Sequence, residues 1–288
     1  MKKESYLRSL EVMSDQDFRK FSQFIHTHLG IKMPPQKKSM LEARLRKRLR
    51  ALGLKTFREY RDMFFSDEGM ALELGNLCNA VTTNKTDFFR EPAHFDFLTD
   101  TGLAELLQRF FPDEAPELRI WSAGCSTGEE PYSLAMVLAN WFVTAGEEAF
   151  SILGTDLSTR VLDTAHTAIY DMDRILPVPQ NLRRKYLLKS KDRERRQVRI
   201  VPEIRSRVRF RQLNFMDPEY DLPHPFHAVF CRNVIIYFDR PTQSAIVSRI
   251  CRHLLPGGFL FMGHSETLSG LNLPLQQVAP SVYRKLGR

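Results

Sequence analysis

The chain has 288 residues, 43% hydrophobic and 26% charged, a balance that excludes fibrous and disordered classes and fits a soluble globular protein of two modest domains. No run of about 18 apolar residues occurs, which excludes a membrane span, and Met1-Lys2-Lys3-Glu4-Ser5 lacks the apolar core of a secretory signal. A net charge of +8 calls for an anionic partner: nucleic acid, acidic protein and anionic lipid all satisfy it.

Taken in chain order, the first 81 residues read as helices only. Ser14 followed by Asp17 marks a capped start, and Phe18, Phe21, Ile25 and Leu29 follow at helical spacing, with Gly30 as the stop. After Pro34-Pro35, a helix over residues 36–52 places Leu41, Leu45, Leu49 and Leu52 on one face and Lys37, Arg44, Arg46, Lys47, Arg48 and Arg50 around the rest. Such a charge run is either a solvated face or a docking surface. Two further helices are predicted over residues 56–64 and 67–81. From residue 117 short apolar runs alternate with helical patterns. Strands are predicted over 118–122, 150–154, 227–231 and 259–262, and helices over 129–142, 160–168 and 241–255. Pro256-Gly257-Gly258 turns into the strand at 259, and residues 281–286 supply a last strand. This alternation predicts a parallel, doubly wound α/β sheet with an antiparallel pair at one edge. Residues 177–213, which hold a helix, a charged stretch and two alternating β segments, are read as a small insert with its own antiparallel strands. The four cysteines (Cys78, Cys125, Cys231, Cys251) lack the paired spacing of a zinc site or disulfide framework. Reduced thiols in a cytoplasm, without a metal, are expected.

The strand ending at Ser122-Ala123-Gly124-Cys125-Ser126-Thr127-Gly128-Glu129 flows into a helix, forming a nucleotide-type βα turn. A dinucleotide site uses three spaced glycines to seat a pyrophosphate. Here only Gly124 and Gly128 are present, and Glu129 and Glu130 would repel a phosphate. The same carboxylates suit a sulfonium cofactor, whose methionine end carries an amine. Asp156, at the end of the second strand, is placed to accept hydrogen bonds from ribose hydroxyls. Asn214 follows a strand where an adenine edge is read, and Arg232-Asn233 follows the next. All fall at the carboxyl ends of strands, where ligands of open α/β sheets lie. The alternative is that Glu129 and Glu130 serve only the helix dipole and Asp156 only caps a helix.

With those residues the sequence resembles the CheR-type methyltransferases, which methylate glutamates on bacterial chemotaxis receptors. The resemblance rests on residues 82–90 (Thr-Thr-Asn-Lys-Thr-Asp-Phe-Phe-Arg), 120–133, Gly154-Thr155-Asp156, 230–238 and Gly263-His264-Ser265-Glu266, and spans essentially the whole chain. It implies a helical N-terminal domain (1–81), a linker (82–117) and a Rossmann-like S-adenosylmethionine methyltransferase domain (118–288) with the β insert near 177–213. It implies that Asn84, Thr86, Arg90, Glu129, Asp156, Asn214, Phe215, Arg232 and Asn233 line S-adenosyl-L-methionine and, after reaction, S-adenosyl-L-homocysteine. Arg90 and Tyr237 are placed near the transferred methyl. A monomeric cytoplasmic enzyme recruited to membrane receptor arrays follows, with the cytoplasmic helical region of chemotaxis receptors as partner and Lys37, Arg44, Lys47, Arg48 and Arg50 as docking residues. In some relatives the insert also grips the receptor's C-terminal peptide through a glycine-containing loop. The corresponding Ser190-Lys191-Asp192-Arg193-Glu194-Arg195-Arg196-Gln197 has no glycine.

A glutamate is already ionised at neutral pH, so methyl transfer to it needs alignment and water exclusion rather than a strong base. Two rivals share the fold: a nucleic-acid methyltransferase and a non-catalytic cofactor-binding scaffold. Amino-methylating enzymes acting on a flipped base use an Asn/Asp-Pro-Pro-aromatic turn. The equivalent place reads Asn233-Val234-Ile235-Ile236, so nucleic acid is not expected as substrate. Retention of Arg90, Asp156 and Tyr237 speaks against a scaffold, and His264 is given no role.

Overall fold

A computed structural model describes residues 12–113, 117–144, 150–192 and 194–287; the amino-terminal pentapeptide and Arg193 lie outside the described residues. Two compact units emerge, one of residues 12–83 with Tyr237–Asp239, the other of residues 84–236 and 240–287.

The first unit is helical: α1 (Asp15–Leu29), α2 (Lys38–Leu52), α3 (Phe57–Phe64) and α4 (Asp67–Val81). Ser14 caps α1 by accepting from the Asp17 N–H, and Gly30 closes it with φ +69°. A capping box of Thr56 and Glu59 starts α3. Phe21, Ile25, Leu41, Leu45, Leu49, Tyr60 and Phe64 are buried in its core, whereas Leu52, expected on the same face, is 38% exposed where Gly53 ends α2.

Three of the expected docking residues are engaged within this unit. Arg44 donates to the carbonyls of Ala80, Val81 and Thr82 at 3.2, 2.7 and 3.0 Å, serving the orphan carbonyls at the end of α4. Arg48 makes a two-pronged contact with Glu73 (3.1 and 2.6 Å), to which Tyr60 also donates at 3.3 Å. Arg44 and Arg48 thus hold α2 to α4. Lys37 donates to the Lys32 carbonyl, and Lys47 and Arg50 are exposed. Tyr237 belongs to this unit, its carbonyl accepting from the Lys32 N–H at 3.0 Å.

The second unit opens with α5 (Ala93–Phe97), a π-helical turn over Leu98–Gly102 and α6 (Leu103–Phe110). This stretch was expected as a linker. It is instead packed: Leu98, Leu103 and Leu106 are buried in the core. There follow β1 (Leu118–Ala123), α7 (Glu129–Trp141), β2 (Phe150–Asp156), α8 (Thr159–Thr167), β3 (Ile169–Asp171), α9 (Gln180–Tyr186), β4 (Leu187–Lys189), β5 (Gln197–Ile200), α10 (Pro202–Arg205), β6 (Val208–Gln212), β7 (Phe226–Cys231), α11 (Arg240–His253), β8 (Leu254–Met262), β9 (Leu275–Ala279) and β10 (Val282–Lys285).

The main sheet has the order β6-β2-β1-β7-β8-β10-β9. Five strands are parallel, and β8, β10 and β9 pair antiparallel at one edge. β7 is buried throughout, as a strand covered on both faces must be. The chain leaves β1 for β2 on one side and reaches β7 on the other, so the strand order reverses beside β1. A separate sheet β3-β5-β4 is antiparallel, confirming an insert but beginning at Ile169. The alternating segment at 208–213, assigned to that insert, is β6 of the main sheet, parallel to β2; as an edge strand it turns Val208 and, in part, Phe210 inward and leaves Arg209 and Arg211 exposed, like an antiparallel one. Pro256, Gly257 and Gly258 lie within β8 rather than before it, opposite a pairing irregularity between Phe226 and Ala228.

Glu73 has a side chain only 5% exposed. Removing its cation by Arg48→Ala should destabilise the helical unit by about 2–3 kcal/mol, whereas Lys47→Ala should stay within about 0.5 kcal/mol. Denaturant unfolding of both variants checks this, and equal effects would refute the assignment.

Candidate functional site

The turn after β1 is fixed from both flanks. The N–H groups of Gly124 and Cys125 both donate to the Thr155 carbonyl, at 2.8 and 2.9 Å, and the buried Trp121 indole donates to the Thr155 hydroxyl at 2.9 Å. Gly124 has φ +86°, and a Cβ there would sit 2.4 Å from Val234. Gly128, at φ +95°, would press a Cβ to 2.9 Å from Ala165 and the Tyr170 hydroxyl. Both positions therefore demand glycine by conformation and by space. Ser126 also has a positive φ of 49°; its N–H donates to Asp156 Oδ2 (2.9 Å) and its hydroxyl to the Asn84 carbonyl (3.0 Å).

Asp156 is held from the chain beyond as well, the Ser158 N–H donating to Oδ1 at 2.9 Å. Burial raises its carboxyl above the ordinary range, opposed by the Ser158, Ser126 and Leu157 N–H groups. Ser158, not Asp156, caps α8, so Asp156 stands at the end of β2 without a capping role. Glu129 is 1% exposed and accepts from the Thr127 hydroxyl (2.6 Å) and from Arg174, which also donates to the Thr86 carbonyl at 2.8 Å. Asn214 accepts from the Met216 N–H, and the buried Phe215 accepts at its carbonyl from Arg249 and Tyr220.

Glu130 points elsewhere. Its carboxylate accepts from Ser122 Oγ (2.7 Å) and from Arg232 Nε (2.6 Å). The Arg232 side chain is 2% exposed, and its Nη1 donates to the Arg90 carbonyl (2.6 Å) and to His94 Nδ1 (3.2 Å), with Glu91 at 3.6 Å. Arg232, expected to line a cofactor, has its guanidinium committed to this buried network, because two carboxylates draw it inward. Arg90 donates to the Lys85 carbonyl at 3.2 Å and does not pair with Glu91. Glu91 instead accepts from the His264 N–H and the Asn233 amide.

Sequence reasoning gave Glu266 no individual role. Its carboxylate accepts four backbone N–H bonds, from Asn233, Val234, Ile235 and Gly263, at 2.7–2.8 Å, and so fixes the turn in which Asn233 has φ +59°. Arg174 was also missed; neither residue type nor spacing marks it, since its partner lies 45 positions away.

Glu91, His94 and His264 lie close enough to hold a cation. Arg232 already supplies the charge there: its guanidinium is 3.2 Å from the His94 ring nitrogen and 3.6 Å from Glu91. A divalent ion at that point would face a fixed guanidinium within contact distance, so the cluster does not fit a metal.

Burial, then Arg232, lowers the His94 imidazole to about 4, and burial, then Arg119, lowers His227 to about 4. Both are neutral in the fold and take a proton on unfolding below about pH 6.5. Their contribution is complete above that pH and lost as pH falls toward 4, on the order of 3 kcal/mol each. The raised carboxyls of Asp156 and Glu266 act in the opposite sense. His227→Gln, which keeps an acceptor for the Arg119 N–H, should therefore show a shallower fall of Tm between pH 6.5 and 4.5. Parallel slopes in variant and parent would contradict it.

Comparison with known proteins agrees with this geometry. Residues 84–283 match the family described as CheR methyltransferase, SAM binding domain, and residues 16–82 match CheR methyltransferase, all-alpha domain. The chain is 36% identical over 274 residues to a chemotaxis protein methyltransferase of Borreliella burgdorferi, covering 95% of each chain. It is 39% identical to that of Escherichia coli, covering 94% of this chain and 91% of the relative, and 40% identical to that of Salmonella typhimurium, covering 90% and 86%. A buried carboxylate at the glycine turn, a second at the end of the neighbouring strand and a two-part match spanning nearly the whole chain place this protein in the CheR methyltransferase family.

Proposed function

We propose that the protein methylates glutamate side chains of membrane-bound chemotaxis receptors, giving glutamate methyl esters and S-adenosylhomocysteine. The observation that carries this reading is the composition of the βα turn: where a dinucleotide enzyme needs a phosphate cradle, the chain places the carboxylate of Glu129 and, across the Ser126 N–H, that of Asp156. The Glu129 carboxylate repels a phosphate at the turn and suits an ammonium, and Asp156 suits a pair of ribose hydroxyls. When bound, the cofactor supplies a methyl group on a positively charged sulfur.

The protein's own residues bind and orient. Glu129 and Asp156 take the amino-acid and ribose ends, with Asn84, Thr86 and Asn233 beside them and Asn214 and Phe215 at the adenine end. Arg232 acts through the ion pair that fixes this ground. Arg90, half-buried and bonded to the Lys85 carbonyl, attracts the substrate carboxylate. A receptor glutamate, with an ordinary pKa near 4.3, arrives ionised, so no proton has to be removed before attack. The work is alignment and exclusion of water.

Incubation with methyl-labelled cofactor and receptor cytoplasmic fragments should place label in protein, in a form released by mild base. Label in RNA or DNA, or in protein resistant to base, would sink the proposal. Within the docking helix, Lys47 and Arg50 remain exposed and are the charges offered to an acidic receptor helix. Lys47→Glu together with Arg50→Glu should slow receptor methylation several-fold at low salt, with the difference shrinking at high salt and cofactor affinity unchanged. An equal fall in cofactor affinity would count against docking.

A further inference from the structure

The segment entering the small insert, from β3 into the turn beyond it, reaches back to the cofactor turn at two points. The Tyr170 hydroxyl donates to the Thr127 carbonyl at 2.7 Å. Arg174 donates to the Glu129 carboxylate and, through the same nitrogen, to the Thr86 carbonyl at 2.8 Å, with Asp87 4.0 Å from its other arm. Arg174 is itself set by a tight turn, its N–H donating to the Asp171 carbonyl at 2.9 Å. That turn is tied to the start of β5: the Met172 N–H donates to the Arg196 carbonyl (2.9 Å), Arg196 to Asp173 (3.3 Å) and the Gln197 amide to Asp171 (3.3 Å).

Arg174 is therefore the cation that accompanies a carboxylate only 1% exposed. A carboxylate so placed needs a charged partner or a proton, and it needs a fixed direction if it is to meet an ammonium group. The Thr127 hydroxyl occupies Oε2 and Arg174 occupies Oε1. Each oxygen keeps a further lone pair, so both can be satisfied while the carboxylate receives a third donor. Because the guanidinium also bonds the Thr86 carbonyl, one side chain fixes the distance between residues 84–90 and the start of α7.

We infer that Arg174 is a positioning residue, holding the Glu129 carboxylate in the orientation that receives the amino end of the cofactor and joining the small insert to the cofactor site. This rests on the assignment of Glu129 given under the proposed function. Arg174 has no place in the transfer step, so its loss acts on cofactor affinity and not on turnover.

The full-length protein is tested as Arg174→Gln and Arg174→Lys, with S-adenosylhomocysteine and 5′-methylthioadenosine, which lacks the amino-acid end, as calorimetric probes. Arg174→Gln should weaken S-adenosylhomocysteine about tenfold and raise the cofactor KM alike, with kcat within about twofold. Its affinity for methylthioadenosine should be unchanged, and Arg174→Lys should recover most of the loss. If both probes weaken equally, Arg174 merely supports the fold and the inference falls; a fall confined to kcat overturns it as well. Glu129→Gln separates the underlying reading: should it bind both probes as the parent does, the assignment of Glu129 fails whatever Arg174 does.

Discussion

The ion pair of Glu130 and Arg232 is the interaction on which the second unit's functional end depends. It joins the first turn of α7 to the residue following β7, on either side of the point where the strand order reverses, and through Arg232 it reaches the Arg90 carbonyl and His94. Two charges this deeply buried add little net stability compared with a well-packed apolar pair, because desolvation consumes most of the attraction. What the pair supplies is position. The guanidinium has a fixed fork of donors, and Glu130, the Arg90 carbonyl and His94 each take part of it. Neutral His94 is a condition of this arrangement, since its Nδ1 can accept from Arg232 only while unprotonated.

Around that pair the site is built largely from backbone. Glu266 collects four N–H groups, Asp156 accepts from Ser126 and Ser158, and the Thr155 carbonyl receives two more. Carboxylates in such nests are held by N–H dipoles rather than by cations: Glu266, with two donors on each oxygen, is saturated, whereas Asp156 keeps acceptor capacity of definite direction. The positive φ values of Phe89, Glu91, Ser126 and Asn233 show where the chain bends sharply enough to aim those groups. Such conformations persist only where surrounding bonds over-determine them.

Much of this was legible in the sequence, for identifiable reasons. The helix start at Ser14 carried a side-chain cap, and the strands at 118 and 227 were apolar runs because the centre of a parallel sheet is covered on both faces. β6 was misplaced because an edge strand alternates whatever its pairing direction. β9, Leu-Gln-Gln-Val-Ala with its central residues exposed, and the three-residue β3 gave no pattern to find. The structural role of Arg44 and Arg48 went unread for another reason. A charge at helical spacing looks the same whether it meets solvent or the end of a helix some 36 residues downstream. Arg174 and Glu266 lay hidden similarly, their meaning residing in partners 45 and about 32 positions away.

The Glu266 nest has a consequence for motion. The N–H groups of Asn233, Val234 and Gly263 lie outside any helix or strand, where backbone ordinarily opens on short timescales. Bound to one buried carboxylate, they open at a shared cost, since each N–H released leaves the buried charge with fewer donors. The turns after β7 and β8 thus behave as a single mechanical body hinged on one side chain.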